Sequence, residues 1–360
     1  MKFYERRFVV KEQIIEFLQD EIDKKHIPGA VIQVNYKGKT ILKEALGWRI
    51  DFEEECDPMQ LDTVFDLASL TKVVATLPSI LKLLDEGEIG LNDTVSHFIP
   101  EFSVNNKSEI TLMHLLTHTS GLKSHRRFYQ ENLNKEEIFE EIYEETLEYK
   151  PGTKVIYSDL GFMLLFKIIE IVTQSTFEEF VTKEIFEPLE MNETSFLPKF
   201  SKDRYAATEF DPSLKTYKLG IVHDENANTL GGISGHAGLF STVSDLNHYV
   251  SMHENQGIFN EKRILSPNAI QLAQKNFTSS LNEMRGLGWQ LKTDSATSCG
   301  DYFSKNSFGH TGFTGTSLWI DTEVDLSVIL LTNRVHYGRE PHILRLRPRL
   351  HNIIRQHFNQ

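Results

Sequence analysis

Ser69 and Lys72 form one of three Ser-x-x-Lys pairs in this sequence, and they have the setting of an activated nucleophile. A Ser and a Lys three residues apart lie on one face of a helix, so the ammonium can approach the hydroxyl. A helix that begins here also offers free N–H groups and the positive end of its dipole, which favour developing negative charge. The pair therefore predicts nucleophilic catalysis, with Ser69 as the nucleophile and Lys72 beside it.

The two other pairs, Ser79 with Lys82 and Ser120 with Lys123, lack this setting. Ser79 lies inside a predicted helix, where few free N–H groups remain, and the Gly that follows Ser120 is typical of a turn. A Ser-x-x-Lys pair by itself is usually a surface Ser and a surface Lys. The choice of Ser69 therefore depends on the rest of the chain.

Hydrophobic periodicity places helices in the middle of the chain and strands toward its two ends. Alternating, β-branched segments predict strands over residues 30–36, 40–45, 316–320 and 326–332. Apolar residues at helical spacing predict helices over residues 10–22, 73–84, 111–117, 135–149, 159–173, 176–186 and 342–358. We expect Gly87 to cap the second of these helices and Pro348 to kink the last.

This order of elements predicts an α+β fold of the α/β sandwich type. The hairpin patterns indicate antiparallel pairing, because parallel neighbours need long crossovers. An antiparallel sheet built from both termini and flanked by helices, with an inserted all-helical domain, satisfies the pattern. We expect residues 1–66 and 200–360 to form the sheet domain and residues 67–199 the mostly helical domain, with the active site in the cleft between them.

Two later segments supply a second and a third motif. Tyr157-Ser158-Asp159 follows a Pro-Gly turn and opens an apolar helix, and His310-Thr311-Gly312 comes just before a β-branched strand. With Ser69-Leu70-Thr71-Lys72 they occur in the order of the three motifs of serine β-lactamases and penicillin-binding DD-peptidases, and the chain resembles that superfamily over most of its length. A Tyr in the second motif resembles the class C branch. Two supporting segments, residues 114–122 and 235–241, add to the resemblance.

The resemblance implies a role for each motif residue. Ser69 would attack a carbonyl and form an acyl-enzyme, Lys72 would take or relay its proton, and Tyr157 would be the second base and the acid for the leaving group. The backbone N–H groups of Ser69 and Phe313 would form the oxyanion hole. The other motif residues would bind substrate: Asp159, His310, Thr311 and Gly312. Neither a cofactor nor a metal is implied.

Two departures from the family pattern affect the expected chemistry. His310 stands where β-lactamases usually carry Lys, so the fixed positive charge that holds a substrate carboxylate is diluted. Asp159 stands where Asn is usual, and an ionised Asp near Lys72 would raise the pKa of that ammonium. We therefore hypothesise that Tyr157 and not Lys72 is the working base. Both departures predict poor or absent β-lactamase activity.

Other polar clusters have simpler interpretations. His114 and His118 are four residues apart on a predicted helix, but the general-base Glu of zinc proteases is missing between them, so structural histidines are favoured over a metal pair. Residues 232–236 nearly match a nucleophile elbow, yet no strand precedes them, and a Gly-rich loop near the site is favoured. Residues 223–226 are interpreted as a surface loop, although they could also line the cleft or bind an ion.

Composition limits the partners of the protein. The formal net charge of −13 over 360 residues argues against nucleic acid, because phosphate contacts need clustered Lys and Arg. The most apolar window, residues 160–172, is too short and too charged for a membrane span. The first residues lack the apolar core of a signal peptide, so we expect a cytoplasmic location, or a secreted or cell-envelope one if a leader has been removed.

These observations predict a serine hydrolase that forms an acyl-enzyme on an amide or ester. The expected substrate is a small molecule or peptide related to the cell wall, as for a DD-carboxypeptidase, a D-amino peptidase or an esterase, and β-lactams are possible ligands. The alternative is a catalytically weak protein that binds penicillin or muropeptides in the same pocket.

Overall fold

An antiparallel sheet drawn from both ends of the chain is the main feature of the computed structural model, which describes residues 2–52, 55–295 and 297–358. In chain order the strands are β1 Gly29–Tyr36, β2 Lys39–Phe52, β3 Glu55–Pro58, β4 Phe65–Asp66, β5 Ser195–Phe196, β6 Phe210–Asp211, β7 Thr216–Tyr217, β8 Leu239–Ser241, β9 Ile258–Phe259, β10 Lys262–Arg263, β11 Gln290–Leu291, β12 Phe308–Thr311, β13 Ser317–Asp321 and β14 Leu326–Thr332. The large sheet has seven strands in the order β11-β12-β13-β14-β1-β2-β3.

Strand β1 joins the two ends of the chain. It pairs antiparallel with β2 on one side and with β14 on the other, where Val31 lies opposite Leu331. Strands β1, β13 and β14 are buried along almost their whole length because both faces of the sheet are covered. The predicted antiparallel sheet built from both termini is therefore confirmed.

Some α-helices pack on the sheet, and others belong to the segment of chain that separates the N-terminal strands from the C-terminal ones. They are α1 Lys2–Asp23, α2 Leu77–Glu86, α3 Val95–Phe98, α4 Leu112–Leu116, α5 Lys135–Glu144, α6 Asp159–Thr173, α7 Phe177–Val181, α8 Glu225–Thr229, α9 Val243–Glu254, α10 Pro267–Gln274 and α11 His342–Arg355. Shorter 3₁₀ turns span Ala68–Leu70, Pro100–Ser103, Phe128–Gln130, Lys202–Arg204 and Arg334–Tyr337, and π-helical turns span Lys72–Thr76 and Thr182–Phe186.

The two larger of three apolar cores hold these layers together. Ile14 and Leu18 of α1 and Leu346 and Leu350 of α11 pack together on one face of the sheet. The other core continues from the opposite face into the helical segments, where α6 is buried along most of its length. Helix α6 begins at Asp159, the last residue of the second motif, and Ser158 caps it, so this core fixes the position of the motif.

Several predicted helices differ from the observed ones at their ends. The helix predicted over residues 135–149 ends at Glu144, and the chain then turns so that the Glu148 N–H donates to the carbonyl of Gly121 at 2.8 Å. The helix expected to begin near Lys72 opens as a π-helical turn before α2. Gly87 caps α2 in the left-handed conformation, as predicted, and α11 runs through Pro348 to Arg355.

Among the described residues, no single helix has both the length and the apolar composition to cross a membrane. Residues 159–173 and 177–186 taken together reach that length and composition, but the chain bends by 80° between them.

Candidate active site

Ser69 lies in a short 3₁₀ turn between β4 and the π-helical turn that opens α2. The preceding residue, Ala68, has φ +46°, a left-handed conformation that costs a non-glycine residue about 1 to 3 kcal/mol. The carboxylate of Asp66 stabilises this turn, since its oxygens accept the N–H of Ala68 at 2.8 Å and the N–H of His223 at 2.7 Å. Ser69 therefore lies on a constrained turn whose conformation the surrounding structure imposes.

The loop after β12 is tied directly to this turn. The hydroxyl of Thr314 donates to the carbonyl of Asp66 at 2.7 Å, and that of Thr316 donates to the carbonyl of Leu67 at 3.1 Å. A Cβ on Gly312 would lie 2.1 Å from Thr316 Oγ1 and 2.4 Å from the Leu67 oxygen, so only glycine fits. The backbone of the third motif consequently packs directly against the backbone of the turn that carries Ser69.

Phe313 extends from the same loop into the cleft. Its backbone N–H donates to no acceptor among the described residues, and the residue as a whole is 46% exposed. A free N–H at this place is what an oxyanion hole requires.

Lys72 is fully buried, and its ammonium has three acceptors. Nζ lies 2.8 Å from Asp159 Oδ1, 3.0 Å from the carbonyl of His236 and 3.2 Å from Ser69 Oγ. An ammonium has three N–H donors and no lone pair, so this environment uses every proton that the group carries. The ion pair with Asp159 joins the first motif to the second.

The electrostatics of this pair favour the charged state of both groups. Burial opposes the ammonium of Lys72, but the charge of Asp159 and the hydrogen bond to it help to outweigh burial and raise the pKa of Lys72 above its ordinary value. Burial also opposes the carboxylate of Asp159, yet Lys72 and His125 hold its pKa well below the usual range. The raised pKa of Lys72 agrees in direction with the effect expected of an Asp in the second motif.

Tyr157 is the third polar group around Ser69. Its ring centroid lies 4.8 Å from Lys72 Nζ and 5.9 Å from the His310 ring. Desolvation raises the pKa of the phenol, although its interactions with Lys72 and Ser69 act in the opposite direction. The resting site thus holds a neutral tyrosine beside a charged lysine.

His310 is buried and neutral. Burial and the nearby cations Arg285 and Lys72 lower its pKa well below the ordinary value for histidine. Its Nδ1 lies 2.9 Å from the carbonyl of Thr311, and a carbonyl only accepts, so Nδ1 carries the proton and Nε2 keeps a lone pair. The fixed positive charge that a lysine would supply here is therefore missing, as the sequence indicated.

Arginine side chains outside the three motifs supply positive charge to the site. The cleft beside Ser69 has a volume of about 490 Å³, and its wall contains four arginines and no acidic residue: Arg285, Arg334, Arg339 and Arg347. The Arg285 guanidinium carbon lies 5.6 Å from the centroid of the Tyr157 ring and pairs with Glu283 at 2.6 Å. Sequence reasoning missed these arginines, because they come from separate loops and from α11 with no spacing that links them.

The segments set aside in the sequence surround the site without replacing its residues. His236 contributes its carbonyl to Lys72, while its ring lies between Ser234 Oγ at 2.8 Å and Asp224 Oδ1 at 3.0 Å. His125 Nδ1 lies 3.4 Å from Asp159 Oδ2, a contact that raises the pKa of His125. Within residues 2–52, 55–295 and 297–358, no group of three or more His, Cys, Asp or Glu is arranged to hold a metal ion.

All the predicted site residues are found in one region. Ser69, Lys72, Tyr157 and Asp159 meet at the buried ammonium. The remaining ones line the cleft together with Ser69 and Tyr157: His310, Thr311, Gly312 and Phe313.

Known proteins match this chain over most of its length. The N-acetylmuramyl-L-alanine amidase of Bacillus subtilis (strain 168) is 32% identical over 346 residues, which are 86% of this chain and 78% of that protein. A putative D-alanyl-D-alanine carboxypeptidase of Salmonella agona (strain SL483) is 31% identical over 355 residues, 89% of this chain and 82% of that protein. The solved structure of a class C beta lactamase has the same fold, with a TM-score of 0.75 at 18% identity over 96% of this chain and 98% of that one. The beta-lactamase family matches residues 14–351, so this chain belongs to the beta-lactamase family and is a serine hydrolase.

Proposed function

We propose that this serine hydrolase cleaves an amide bond of a cell-wall peptide through an acyl-enzyme on Ser69. The observation that carries the proposal is the saturated ammonium of Lys72, which has three acceptors, one of them Ser69 Oγ at 3.2 Å. An ammonium in this state cannot accept the Ser69 proton. Tyr157 lines the same cleft as Ser69, with its ring centroid 4.8 Å from Lys72 Nζ, and in the proposed mechanism it is the group that moves protons.

Acylation then follows from two coupled proton transfers. The oxygen of Ser69 bonds to the substrate carbonyl carbon while its proton passes to the Tyr157 oxygen and the Tyr157 proton passes to the leaving nitrogen. The carbonyl electron pair moves onto oxygen, where the N–H groups of Ser69 and Phe313 receive it. Collapse of this intermediate breaks the C–N bond. Because Tyr157 gives up one proton as it takes another, a free tyrosinate is not required, which suits its raised pKa.

Deacylation repeats these transfers with water in place of the amine. A water oxygen bonds to the acyl carbon while its proton passes to Tyr157, and the Tyr157 proton passes to the Ser69 oxygen as the ester bond breaks. Lys72 remains an ammonium throughout and stabilises the negative charge that develops on the oxygens of Ser69 and Tyr157. General acid–base transfer of this kind typically contributes about 10²- to 10⁴-fold in rate.

The four arginines of the cleft wall, here called the arginine wall, favour the binding of an anionic substrate. Arg285 lies over the ring of Tyr157, the residue that protonates the leaving nitrogen, so a carboxylate close to that nitrogen falls within reach of Arg285. A D-alanine leaving group has such a carboxylate. The two relatives described above are named for N-acetylmuramyl-L-alanine and for D-alanyl-D-alanine, and both names describe amides of the cell wall. Small cell-wall peptides with a free carboxylate are therefore the proposed substrates.

The proposed cleft lies between a sheet domain, residues 1–66 and 200–360, and a helical domain, residues 67–199. The first and second motifs belong to the helical part and the third to the sheet part. We expect weak turnover of β-lactams, because the neutral His310 leaves no fixed cation in the third motif.

The decisive test compares covalent labelling with turnover. Wild-type protein treated with a fluorophosphonate should gain one adduct by intact mass, and the Ser69→Ala variant should gain none. Hydrolysis should then be measured on N-acetylmuramyl-L-alanine, an acyl-D-alanyl-D-alanine peptide, p-nitrophenyl acetate and nitrocefin. Labelling together with turnover of a cell-wall amide supports the proposal. Labelling with penicillin but no turnover of any substrate would instead indicate a penicillin-binding protein.

A further inference from the structure

His118 holds the residues on both sides of Tyr157. Its carbonyl accepts the N–H of Ile156 at 2.9 Å, and its ring nitrogen Nδ1 accepts the N–H of Ser158 at 3.1 Å. The His118 ring also packs against the Tyr157 ring, with centroids 4.5 Å apart and planes inclined by 36°. One residue therefore fixes the backbone before the tyrosine, the backbone after it, and the side chain itself.

We infer that His118 is the positioning residue that sets the place of the Tyr157 hydroxyl between Ser69 and the leaving group. The inference rests on the proposed function, in which Tyr157 transfers protons. His118 is not itself catalytic, because its contacts are with the Tyr157 ring and with the backbone of Ile156 and Ser158, and not with the reacting atoms. A displacement of a reacting group by about 1 Å can cost about 10²-fold in rate. The position of the Tyr157 side chain therefore determines the rate of turnover.

The protonation state of His118 fits a positioning role. Since Nδ1 accepts a backbone N–H, the proton of the neutral ring is on Nε2, which is buried and has no partner among the described residues. Burial and the nearby cations Arg285 and Lys72 lower the pKa of His118 well below its ordinary value, while Asp159 opposes this change. The ring consequently adds no charge beside Tyr157 and acts through geometry.

The backbone of His118 makes both contacts possible. It has φ +57°, in the left-handed region, directly after helix α4 and Thr117. The hydroxyl of Tyr149 donates to the His118 carbonyl at 3.2 Å and helps to hold this conformation. Asparagine tolerates left-handed backbone and has an acceptor oxygen at a position close to that of Nδ1, whereas glycine tolerates the backbone but has no acceptor.

These properties define a matched pair of variants, His118→Asn and His118→Gly. We expect His118→Asn to keep kcat within about fivefold of wild type, because it can still accept the Ser158 N–H. His118→Gly should lose about 10²-fold in kcat while KM changes by less than about threefold, since substrate contacts are untouched. Thermal unfolding of both variants, measured in parallel, gives the folded fraction used to normalise kcat.

A double-variant cycle separates positioning from general damage. In a Tyr157→Phe background the hydroxyl is gone, so His118→Gly should change the residual kcat by less than about twofold. Equal losses in the two backgrounds would overturn the inference, as would a His118→Asn variant that is folded but as slow as His118→Gly. If His118→Gly does not fold, the cycle is run with His118→Asn, whose small loss must likewise vanish in the Tyr157→Phe background. Absence of fluorophosphonate labelling in the wild type would instead contradict the proposed function.

Discussion

Lys72 Nζ lies 2.8 Å from Asp159 Oδ1, and the lysine side chain of this ion pair is fully buried. Removing one member of a buried pair leaves an uncompensated charge, which typically costs about 3 to 5 kcal/mol. The pair therefore serves two purposes: it joins the segments that carry Ser69 and Tyr157, and it keeps the lysine protonated.

Asp159→Asn tests the structural part of this relationship. The amide keeps an acceptor but not the charge, so we expect a loss of about 3 kcal/mol in the free energy of unfolding at pH 7, measured with urea. The folded-state pKa of Asp159 is lowered and that of Lys72 is raised. The stabilisation should therefore be complete at neutral pH, decrease as pH falls below about 3.9, and decrease above about 10.4. Identical stability of the two proteins at pH 7 would contradict the prediction.

Tyr157→Phe and Lys72→Met test which group is the working base. We expect Tyr157→Phe to lower kcat by about 10³-fold, within the range of general acid–base catalysis, and to leave KM nearly unchanged. Lys72→Met should lower kcat less, once the activity is normalised to the folded fraction. That fraction will fall, because Asp159 loses its partner. A larger kcat loss for Lys72→Met after normalisation would make lysine the base.

Gly312→Ala tests the close approach of the third motif to the nucleophile turn. The added Cβ would lie 2.1 Å from Thr316 Oγ1 and must displace the loop that carries Phe313. We expect kcat to fall by about 10²-fold, as on loss of one oxyanion donor, with a stability loss of about 1 to 3 kcal/mol. Gly161→Ala is the control: its Cβ would make only ordinary contacts, the nearest at 3.6 Å, so activity should be retained.

Arg285→Gln tests the proposed recognition of a carboxylate. We expect kcat/KM to fall by about 10- to 10²-fold for an acyl-D-alanyl-D-alanine peptide and by less than about twofold for its C-terminal amide, because only the first substrate has the charge. The C-terminal amide is the control, because it differs from the peptide acid only in lacking the carboxylate. Equal losses on both would assign Arg285 to packing against Tyr157 instead of to substrate binding.

His310→Lys tests the effect of a neutral third motif. A lysine would restore the fixed cation, so we expect faster acylation by nitrocefin, by about tenfold, when labelling is followed by stopped-flow absorbance. In the wild type the pKa of His310 is well below its ordinary value of about 6.5, so KM for a carboxylate substrate should not improve as pH falls from about 8 to about 6. A KM that decreases through that range would show that His310 gains a proton there.

The sequence predicted the sheet well, because the sheet depends on local patterns, and the site residues chosen through the family resemblance lie close together in the structure. Alternating apolar residues placed β1 and β14, and the order of the motifs brought Ser69, Lys72 and Tyr157 together. The arginine wall could not be predicted, because Arg285 and Arg347 become neighbours of the site only through tertiary packing.

Backbone conformation was the other limit of sequence reasoning. Ala68 and His118 both have a left-handed backbone conformation, and neither residue type indicates that conformation in a sequence as glycine does. The end of α5 was misplaced for a related reason. Residues after Glu144 continue the helical pattern, but the Glu148 N–H bonds to the carbonyl of Gly121. Long-range contacts therefore determined these backbone conformations and the end of α5, which local propensity did not specify.

The hydrogen bonds from Thr314 to Asp66 and from Thr316 to Leu67 connect an early and a late part of the sequence, which the ribosome synthesises at different times. During synthesis from the N-terminus, Ser69 leaves the ribosome long before β12 and β14 exist, and β1 has no partner on one of its edges until β14 emerges. Phe313, the second oxyanion donor of the proposed mechanism, is made long after Ser69, so we expect Ser69 to stay unreactive in the nascent chain until the loop after β12 has folded.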